Sequence, residues 1–399
     1  MPSLSQKSNQ LPSSPIRKLS PFAEKAKKEG KKIYHLNIGQ PDIETPPIFW
    51  ETLRKIDKKV LEYSPSNGYE QLRIKYSHFF KNKYQINLNP SEILITCGAS
   101  EALLFSFFSI LDEGDEIIAT DPIYANYIGF ANAGGINLVS VTTNIDNGFA
   151  LPDMETFEKA ITPKTKAILI CNPSNPTGYF YTATELERLK DIALKHDLFI
   201  ISDEVYRDFV YDGQFKSMLE FPELEQHVIL VDSLSKRFSI TGGRIGMVAS
   251  KNKEVIAAIL KFAQQRLSPP GLAQEAAIGL FDLEEDYFLA VKAEYIKRRD
   301  TLVAGLNEIP GVICPNPGGA FYCMVQFPVK DTDHYCQWLL ESFDYNGETV
   351  MMAPGGGFYV NPLNGKNQVR VAYVLNCKDL KKAIMILGKS LEVYKTQFG

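Results

Sequence analysis

The sequence predicts an α/β protein: a large domain with a mainly parallel sheet of seven strands wrapped by helices, plus a smaller α+β domain built from both chain ends. Two patterns indicate this. From about residue 90 to 250, short apolar runs alternate with segments whose apolar residues recur every three or four positions. Beyond residue 285, one long helical pattern is followed by shorter strand-like pieces and a final helix. With 399 residues, 45% of them apolar, the chain can form a large core.

The seven predicted strands are short apolar runs, most of them rich in β-branched residues. They are EILIT (92–96), EIIAT (116–120), NLVSV (137–141), KAILIC (166–171), LFIIS (198–202), VILVD (228–232) and IGMVAS (245–250). Between several of them lie amphipathic helical segments such as ASEALLFSFFSIL and TATELERLKDIALKH. Because parallel strands need long crossover connections, this alternation favours a mainly parallel sheet.

The smaller domain is predicted from the chain ends. Its C-terminal part has the long helix EDYFLAVKAEYIKRRDTLVAGLNEI, the strand-like pieces AFYCMVQF and QVRVAYVL, and a final helix. The segment KKIYHLNIG precedes the large sheet, which has no obvious place for it, so we assign it to the same domain. The predicted division is a mobile tail (1–15), a small domain (16–48 and 286–399) and a large domain (49–285).

Composition excludes several classes of function. The net charge is −4 without long runs of one sign, which argues against a nucleic-acid or anionic membrane surface. No apolar stretch approaches the ~18 residues of a membrane span, and the polar N-terminus lacks the apolar core of a signal peptide. The six cysteines form no C-x-x-C pair, and the five histidines do not cluster with them. We therefore expect a cytoplasmic protein with small-molecule partners and no metal site.

The loop SLSKRFSITGGRIG (233–246) follows the apolar strand VILVD. Ligands of open α/β sheets bind where strands end, so its basic and hydroxyl groups fall at a candidate site. Lys236 is a candidate nucleophile or Schiff-base partner of an aldehyde cofactor, since the nearby cations Arg237 and Arg244 would lower its pKa. The alternative is an ordinary solvated lysine.

Two other strand ends carry candidate groups. In ISDEVYRDF, Asp203 ends a buried strand and could keep a proton on a heterocyclic nitrogen, as pyridoxal phosphate enzymes require. Tyr206 would place a phenol beside the same ring. In CNPSNPTGYF (171–180), Asn175 could donate its amide to a phenolate oxygen. A helix cap at Asp203 and plain turns around Asn175 are the alternatives.

A fourth segment, ITCGASEALLFSFF, is a candidate anion site. A strand runs into small residues that open a helix, so backbone N–H groups and the helix dipole would face an anion. Two hydroxyls and a guanidinium of the lysine loop would complete a cage for a phosphate. The predicted cage consists of Gly98, Ala99, Ser100, Ser233, Ser235 and Arg244. Alternatively, Ser100 is only an N-cap.

Over nearly its whole length, from LNIGQPD to VRVAY, the chain resembles the class I and II aminotransferases, which are fold type I pyridoxal phosphate enzymes of the aspartate aminotransferase superfamily. S-L-S-K with Arg244 eight positions after Lys236 looks like the family's cofactor-lysine signature, and N-P-S-N-P-T-G and S-D-E-V-Y look like its ring-binding segments. The separation of Asn175 and Asp203 (203 − 175 = 28) is usual in the family.

The resemblance implies roles for these residues toward pyridoxal 5'-phosphate. Lys236 would form the Schiff base and shuttle the proton, and Asp203 would keep the pyridine nitrogen protonated. Asn175 and Tyr206 would hydrogen-bond the ring oxygen, and Tyr124 would stack on the ring.

The resemblance also implies residues that bind the substrate and one that reaches into the site of the partner subunit. Arg370 would clasp the substrate α-carboxylate with help from Asn175 and the backbone near Gly39. Tyr63 looks like the tyrosine that reaches the partner subunit's phosphate, so the resemblance implies a homodimer with shared sites. Gly243 departs from the family's pattern, because many relatives have a bulky residue there. The resemblance therefore does not determine the width of the pocket.

The function that the resemblance implies is a ping-pong aminotransferase acting between an L-amino acid and a 2-oxo acid. An aspartate-like donor is favoured only by the family, since no motif positions a second arginine for a side-chain carboxylate. A β-eliminating carbon–sulfur lyase with the same cofactor is the alternative, because it would share most of these residues. A remote alternative is a non-catalytic sensor domain, which would need a DNA-binding domain before the short predicted tail.

Overall fold

The computed structural model describes residues 2–399, and Met1, part of the predicted tail, lies outside the described residues. The strands are β1 (Lys32–His35), β2 (Ile93–Thr96), β3 (Glu116–Asp121), β4 (Asn137–Thr142), β5 (Thr165–Cys171), β6 (Phe199–Asp203), β7 (Val228–Ser233), β8 (Gly246–Ala249), β9 (Tyr322–Gln326), β10 (Glu348–Met351), β11 (Ala353–Pro354) and β12 (Gln368–Ala372). The helices are α1 (Gln6–Gln10), α2 (Ser20–Lys28), α3 (Pro47–Arg54), α4 (Glu70–Tyr84), α5 (Ala99–Ile110), α6 (Asn126–Gly134), α7 (Met154–Ala160), α8 (Ala183–His196), α9 (Leu234–Arg237), α10 (Lys253–Arg266), α11 (Gly271–Ile278), α12 (Glu285–Asn307), α13 (Thr332–Glu341) and α14 (Cys377–Phe398).

The largest sheet has seven strands in the order β2-β8-β7-β6-β5-β3-β4. The pairs formed by β4, β3, β5, β6 and β7 are parallel, whereas β8 is antiparallel to both of its neighbours, β2 and β7. Each predicted strand of the large domain is present, shifted by no more than one residue at either end. The predicted α/β class with a mainly parallel seven-stranded sheet is therefore confirmed.

Apolar cores cover both faces of this sheet. Along β5, Ile168 and Ile170 belong to the core on one face, and Ala167 and Leu169 belong to the core on the other. The side chains of a strand alternate between faces, so a strand buried on both sides appears as a continuous apolar run. The strong apolar runs of the sequence are thus explained by helices on each face.

The chain ends meet in two smaller sheets. The N-terminal strand β1 pairs in parallel with β10, with Lys32 opposite Glu348. Strand β12 lies between β11 and β9 and is antiparallel to both. A third apolar core lies around these strands and includes residues of α12, α13 and α14. This arrangement agrees with a smaller α+β part built from both ends, while the borders predicted at 48/49 and 285/286 stay predictions.

The N-terminal segment contains α1, whose N-cap Ser5 accepts a hydrogen bond from the backbone N–H of Ser8. Lys7 Nζ donates to the carbonyl of Ala133 at 3.4 Å. The mobility predicted for residues 1–15 stays a prediction. Within residues 2–399, no helix has the combination of length and apolar character needed to cross a membrane.

Candidate active site

A cleft lies at the carboxyl ends of β5, β6 and β7. All residues to which the sequence gave a binding or catalytic role line it except Gly98, which is the N-cap of α5, and Tyr63, which is exposed elsewhere on the surface. The predicted residues that line the cleft are Gly39, Ala99, Ser100, Tyr124, Asn175, Asp203, Tyr206, Ser233, Ser235, Lys236, Arg244 and Arg370.

Lys236 lies in the short helix α9, and its Nζ donates a hydrogen bond to the carbonyl of Gly39 at 2.8 Å. Burial and, after it, the positive charges of Arg370 and Arg244 together lower the pKa of this amine to about 8, although Asp203 opposes the shift. The expectation that Arg237 also lowers this pKa was wrong. The Arg237 guanidinium is buried and paired with Asp208 and Asp232, and it is not among the charges that shift the pKa of Lys236.

Asp203 ends β6 and is buried, only 4% exposed. Its Oδ2 accepts a hydrogen bond from the Tyr127 hydroxyl at 2.7 Å, and its Oδ1 accepts one from the Val205 backbone N–H at 3.3 Å. Burial raises the pKa of this carboxyl to about 6, although the Tyr127 bond opposes the shift. A carboxylate in this setting favours a cationic N–H as its partner, because a nearby positive charge would offset the desolvation.

Arg370 lies in the central strand β12, and its side chain is buried rather than a surface charge. Its Nη1 donates to Asn175 Oδ1 at 3.0 Å, and its Nη2 donates to the carbonyl of Asn37 at 2.6 Å. The guanidinium carbon lies 4.5 Å from the ring centre of Tyr322 and 4.8 Å from that of Phe358. Its Nε has no hydrogen-bond partner among the described residues, so this N–H can donate to an anionic ligand.

The phenol of Tyr206 lies between two polar groups. Asn175 Nδ2 donates to its oxygen at 3.5 Å, and the Tyr322 hydroxyl lies 3.0 Å from it. Tyr124 also lines the cleft, with its hydroxyl accepting from Asn126 Nδ2 at 2.8 Å. Two phenols and an amide therefore border the space above Asp203.

The predicted phosphate cage is assembled at the N-terminus of α5. Gly98 has a φ of 74°, in the left-handed region that favours glycine, and a Cβ there would overlap Arg244 Nη2. Arg244 donates from Nη1 to the Thr241 carbonyl at 3.0 Å and from Nη2 to the Cys97 carbonyl at 3.3 Å. The hydroxyls of Ser233 and Ser235 are 2.9 Å apart. Guanidinium, hydroxyls and helix N-terminus together suit a phosphate monoester.

Sequence reasoning missed several residues that line or support the cleft. Tyr127 could have been noticed, since it lies in the first turn of α6, three residues after Tyr124, and the two rings are in edge contact with centres 5.4 Å apart. Nothing in the sequence around Tyr322 suggested a site, and Arg17 was assigned to the small domain without a role. The structure leaves room at Gly243, where a Cβ would meet Ile240 at an ordinary 3.6 Å. In the described part of the chain, no three His, Cys, Asp or Glu side chains group as metal ligands.

Comparison with known proteins decides the family. A family model described as aminotransferase class I and II matches residues 31–387. The chain belongs to the class I and II aminotransferases.

Its relatives cover almost the whole chain. An aspartate aminotransferase of Bacillus subtilis is 33% identical over 384 residues, 93% of this chain and 94% of that protein. A (5-formylfuran-3-yl)methyl phosphate transaminase of Methanocaldococcus jannaschii is 34% identical over 365 residues, 91% of this chain and 92% of that protein. The comparisons confirm the aminotransferase prediction and give no support to the lyase alternative.

Solved structures similar to this chain are aminotransferases as well. The aspartate aminotransferase of Thermus thermophilus with maleate superimposes with a TM-score of 0.88 at 30% identity, covering 98% of this chain and all of that one. An alanine aminotransferase from Pyrococcus furiosus has a TM-score of 0.89 at 31% identity, with the same coverage. The aminotransferase fold is therefore shared along the whole chain.

Class I and II aminotransferases depend on pyridoxal 5'-phosphate, and the residues of this cleft fit that group. The buried amine of Lys236 matches its aldehyde, and the buried carboxylate of Asp203, which has no cationic partner, matches its ring nitrogen. The cage around Arg244 matches its phosphate. When bound, the cofactor supplies an aldehyde for the lysine and a protonated ring that withdraws electrons. Lys236 would hold it covalently, Asp203 would pair with its ring nitrogen, and Arg244 would hold its phosphate.

Proposed function

We propose that this aminotransferase takes its amino group from a dicarboxylic, aspartate-like L-amino acid and passes it to a 2-oxo acid. The observation that carries the proposal is Arg17, an exposed arginine at the rim of the cleft. Its guanidinium has no hydrogen bond or ion pair with any other residue that the structure describes. Two cations would then hold the two carboxylates of the substrate: Arg370 in the floor of the cleft and Arg17 at its rim.

The backbone around Arg17 is held in place. The Arg17 N–H donates to the Ser14 carbonyl at 3.1 Å, and Asn37 Nδ2 donates to the Ile16 carbonyl at 2.9 Å. Asn37 also offers its own carbonyl to Arg370 Nη2, so the two proposed carboxylate-binding arginines share one connecting residue. Several relatives are named aspartate aminotransferases, which supports an acidic donor.

The other side chains would then act on the reacting groups. Arg370 would hold the α-carboxylate. The Lys236 amine, oriented by its hydrogen bond to the Gly39 carbonyl, would then remove and return the proton at the substrate α-carbon. Asp203 would stabilise positive charge at the ring nitrogen. Tyr206 and Asn175 would donate to the ring oxygen and so fix the tilt of the ring.

The test is to replace Arg17 and compare two donors. A charge-assisted hydrogen bond contributes about 1.5–3 kcal/mol, so Arg17→Ala should lower kcat/KM for aspartate about 10- to 100-fold. The kcat/KM for alanine, which has no second carboxylate, should change less than about threefold. Arg188→Ala is the matched control, since Arg188 is exposed on α8 outside the cleft. Equal losses for both donors, or no loss, would remove the acidic-donor proposal.

We further infer a homodimer with shared sites. Val60, Leu61 and Tyr63 are apolar or aromatic side chains that are largely exposed, with Tyr63 at 77%. Leu267, also exposed, lies near the end of this segment, since the Oγ of Ser66, three residues after Tyr63, donates to the Leu267 carbonyl at 2.6 Å. Exposed apolar patches mark protein interfaces, which supports contact with a second copy here.

A cytoplasmic location is proposed with it. All six cysteines are free thiols, and four of them are buried. Reduced cysteines are usual in proteins of the reducing cytosol, which supports this location.

A further inference from the structure

Tyr322 is a residue of the cleft to which no role has been assigned above. It is the first residue of β9 and lies opposite Ala372 of β12, two positions beyond Arg370. Its side chain is buried, and its hydroxyl reaches the cleft. Its neighbours in sequence are apolar, so its position is set by the pairing of β9 with β12 and not by a motif.

The Tyr322 side chain touches three groups with proposed roles. Its hydroxyl lies 3.0 Å from the Tyr206 hydroxyl, and its ring lies against the Arg370 guanidinium, 4.5 Å from centre to carbon. The hydroxyl also lies 3.5 Å from the Gly39 carbonyl, the group that accepts from Lys236 Nζ. A Cβ on residue 39 would overlap this hydroxyl, so the phenol fits only against glycine.

Either hydroxyl could be the donor of the 3.0 Å contact between Tyr206 and Tyr322 in the cofactor-free cleft. Once the Tyr206 hydroxyl donates its proton to the cofactor's ring oxygen, the Tyr206 oxygen can only accept, so Tyr322 becomes the donor of this hydrogen bond. Asn175 Nδ2 reaches the same Tyr206 oxygen, although only at 3.5 Å. A phenol that accepts hydrogen bonds is polarised and becomes a stronger donor itself.

We propose that Tyr322 is a positioning residue that strengthens the hydrogen bond of Tyr206 to the cofactor's ring oxygen and holds the Arg370 guanidinium in the plane that receives a carboxylate. The inference rests on the assignment of the cleft to pyridoxal 5'-phosphate. The hydroxyl acts through Tyr206, and the ring face acts through Arg370, where a cation over an aromatic face is stabilised. The two effects belong to different atoms and can be separated.

The first test uses the substrate-free holoenzyme. Tyr322→Phe removes the hydroxyl and keeps the aromatic ring of the side chain. Negative charge on the cofactor's ring oxygen is then stabilised less, so the nitrogen that joins Lys236 to the cofactor keeps its proton to higher pH. We expect the midpoint of the pH titration of its visible absorption to rise by about half a unit, with the melting temperature little changed. Tyr373→Phe is the control, because Tyr373 is equally buried but its hydroxyl donates to the carbonyls of Gly319 and Ala320 outside the cleft.

A double variant shows whether the effect passes through Tyr206. In a Tyr206→Phe background, Tyr322→Phe should give no further shift of the midpoint, since coupled residues are non-additive. The same shift in both backgrounds, or no shift in the single variant, would overturn the role of the hydroxyl.

A second measurement addresses the ring. Tyr322→Leu should raise KM for the amino donor several-fold, whereas Tyr322→Phe should change it less than twofold. Equal KM values in both variants would overturn the role of the ring. The pH titration needs no substrate, so failure of the acidic-donor proposal would leave it unaffected. If the unchanged protein shows no visible absorption from a cofactor bound to Lys236, the cofactor assignment is overturned, and this inference with it.

Discussion

At the scale of single residues, the environment of Lys236 explains how a lysine can react near neutral pH. An ordinary lysine amine is almost fully protonated there and cannot attack an aldehyde. In this cleft burial and the charges of Arg370 and Arg244 lower the pKa of Lys236 to about 8, while Asp203 opposes them. The uncharged, nucleophilic amine is therefore well populated in weakly alkaline solution.

This predicts a pH dependence for attachment of the cofactor. When protein freed of cofactor is mixed with pyridoxal 5'-phosphate, the rate at which visible absorption appears should rise with pH and level off above about 8. Arg370→Gln removes a cation that lowers the pKa of Lys236, so the plateau should move to higher pH. Lys236→Ala should bind the cofactor without covalent attachment. A rate that is constant between pH 6 and 9 would contradict the prediction.

At the scale of elements, a buried cluster of charges joins the turn after β6 to the helix after β7. Arg237 Nε lies 2.7 Å from Asp208 Oδ2, and its Nη2 donates to Asp232 Oδ1 at 2.9 Å. Asp208 follows Asp203 and Tyr206 in the chain, and Arg237 is next to Lys236. The ion pair thus connects the backbone that carries the carboxylate to the backbone that carries the amine.

Asp208→Asn should reduce the free energy of unfolding at pH 7 by about 3 kcal/mol, because breaking a buried pair leaves Arg237 with one partner fewer. Asp212→Asn is the control: the Asp212 carboxylate is 67% exposed, its partner Arg299 keeps a second carboxylate in Asp300, and the salt bridge of an exposed group contributes at most about 1 kcal/mol. Chiefly through Arg237, the surroundings of Asp208 hold the pKa of its carboxyl below its usual value, although burial opposes this. Its stabilisation is present above the unfolded-state pKa and is lost as pH falls through the lowered one, so the deficit should shrink in acid. Urea unfolding at both pH values would measure it, and equal losses in the two variants would contradict it.

At the scale of the whole molecule, the proposed dimer depends on Tyr63, a residue that does not line the cleft of its own chain. Tyr63 is exposed within the apolar patch and does not line the cleft, whereas Lys236, Asp203 and Arg370 do. In a closed two-fold dimer a contact from one chain to the other is reciprocal. Each site would then combine one chain's lysine with the other chain's tyrosine.

This arrangement predicts complementation between two damaged chains. In a heterodimer of Tyr63→Ala and Lys236→Ala chains, one site has both residues intact and the other lacks both. Differently tagged, co-expressed heterodimers should turn over at near half the wild-type rate per dimer, provided the Tyr63→Ala homodimer is clearly impaired. A heterodimer no faster than half the Tyr63→Ala homodimer would place Tyr63 in its own chain's site and exclude the shared arrangement.

What could be predicted from the sequence is local. Most strands of the large sheet are apolar runs because helices bury both faces, although the edge strand β4 is partly exposed. The candidate residues Asn175, Asp203 and Lys236 lie at or shortly after the ends of such runs. Since carboxyl ends of parallel strands meet at one edge, their proximity followed from the strand assignment alone. The small residues before α5 could likewise be recognised as a helix start.

The tertiary structure alone decided which distant groups meet. Tyr322 meets Tyr206 across 116 positions, because the segment after β6 pairs with the segment before β9 at Val210 and Gly319. Arg370 meets the Asn37 carbonyl across 333 positions, because the Ala372 N–H beyond it donates to the carbonyl of Leu36. Arg237 was taken for a neighbour that acts on Lys236, but the direction of its side chain makes it a structural ion-pair partner. Such contacts depend on complementary faces that pack over long separations, and the periodicity of a single segment carries no information about its partner.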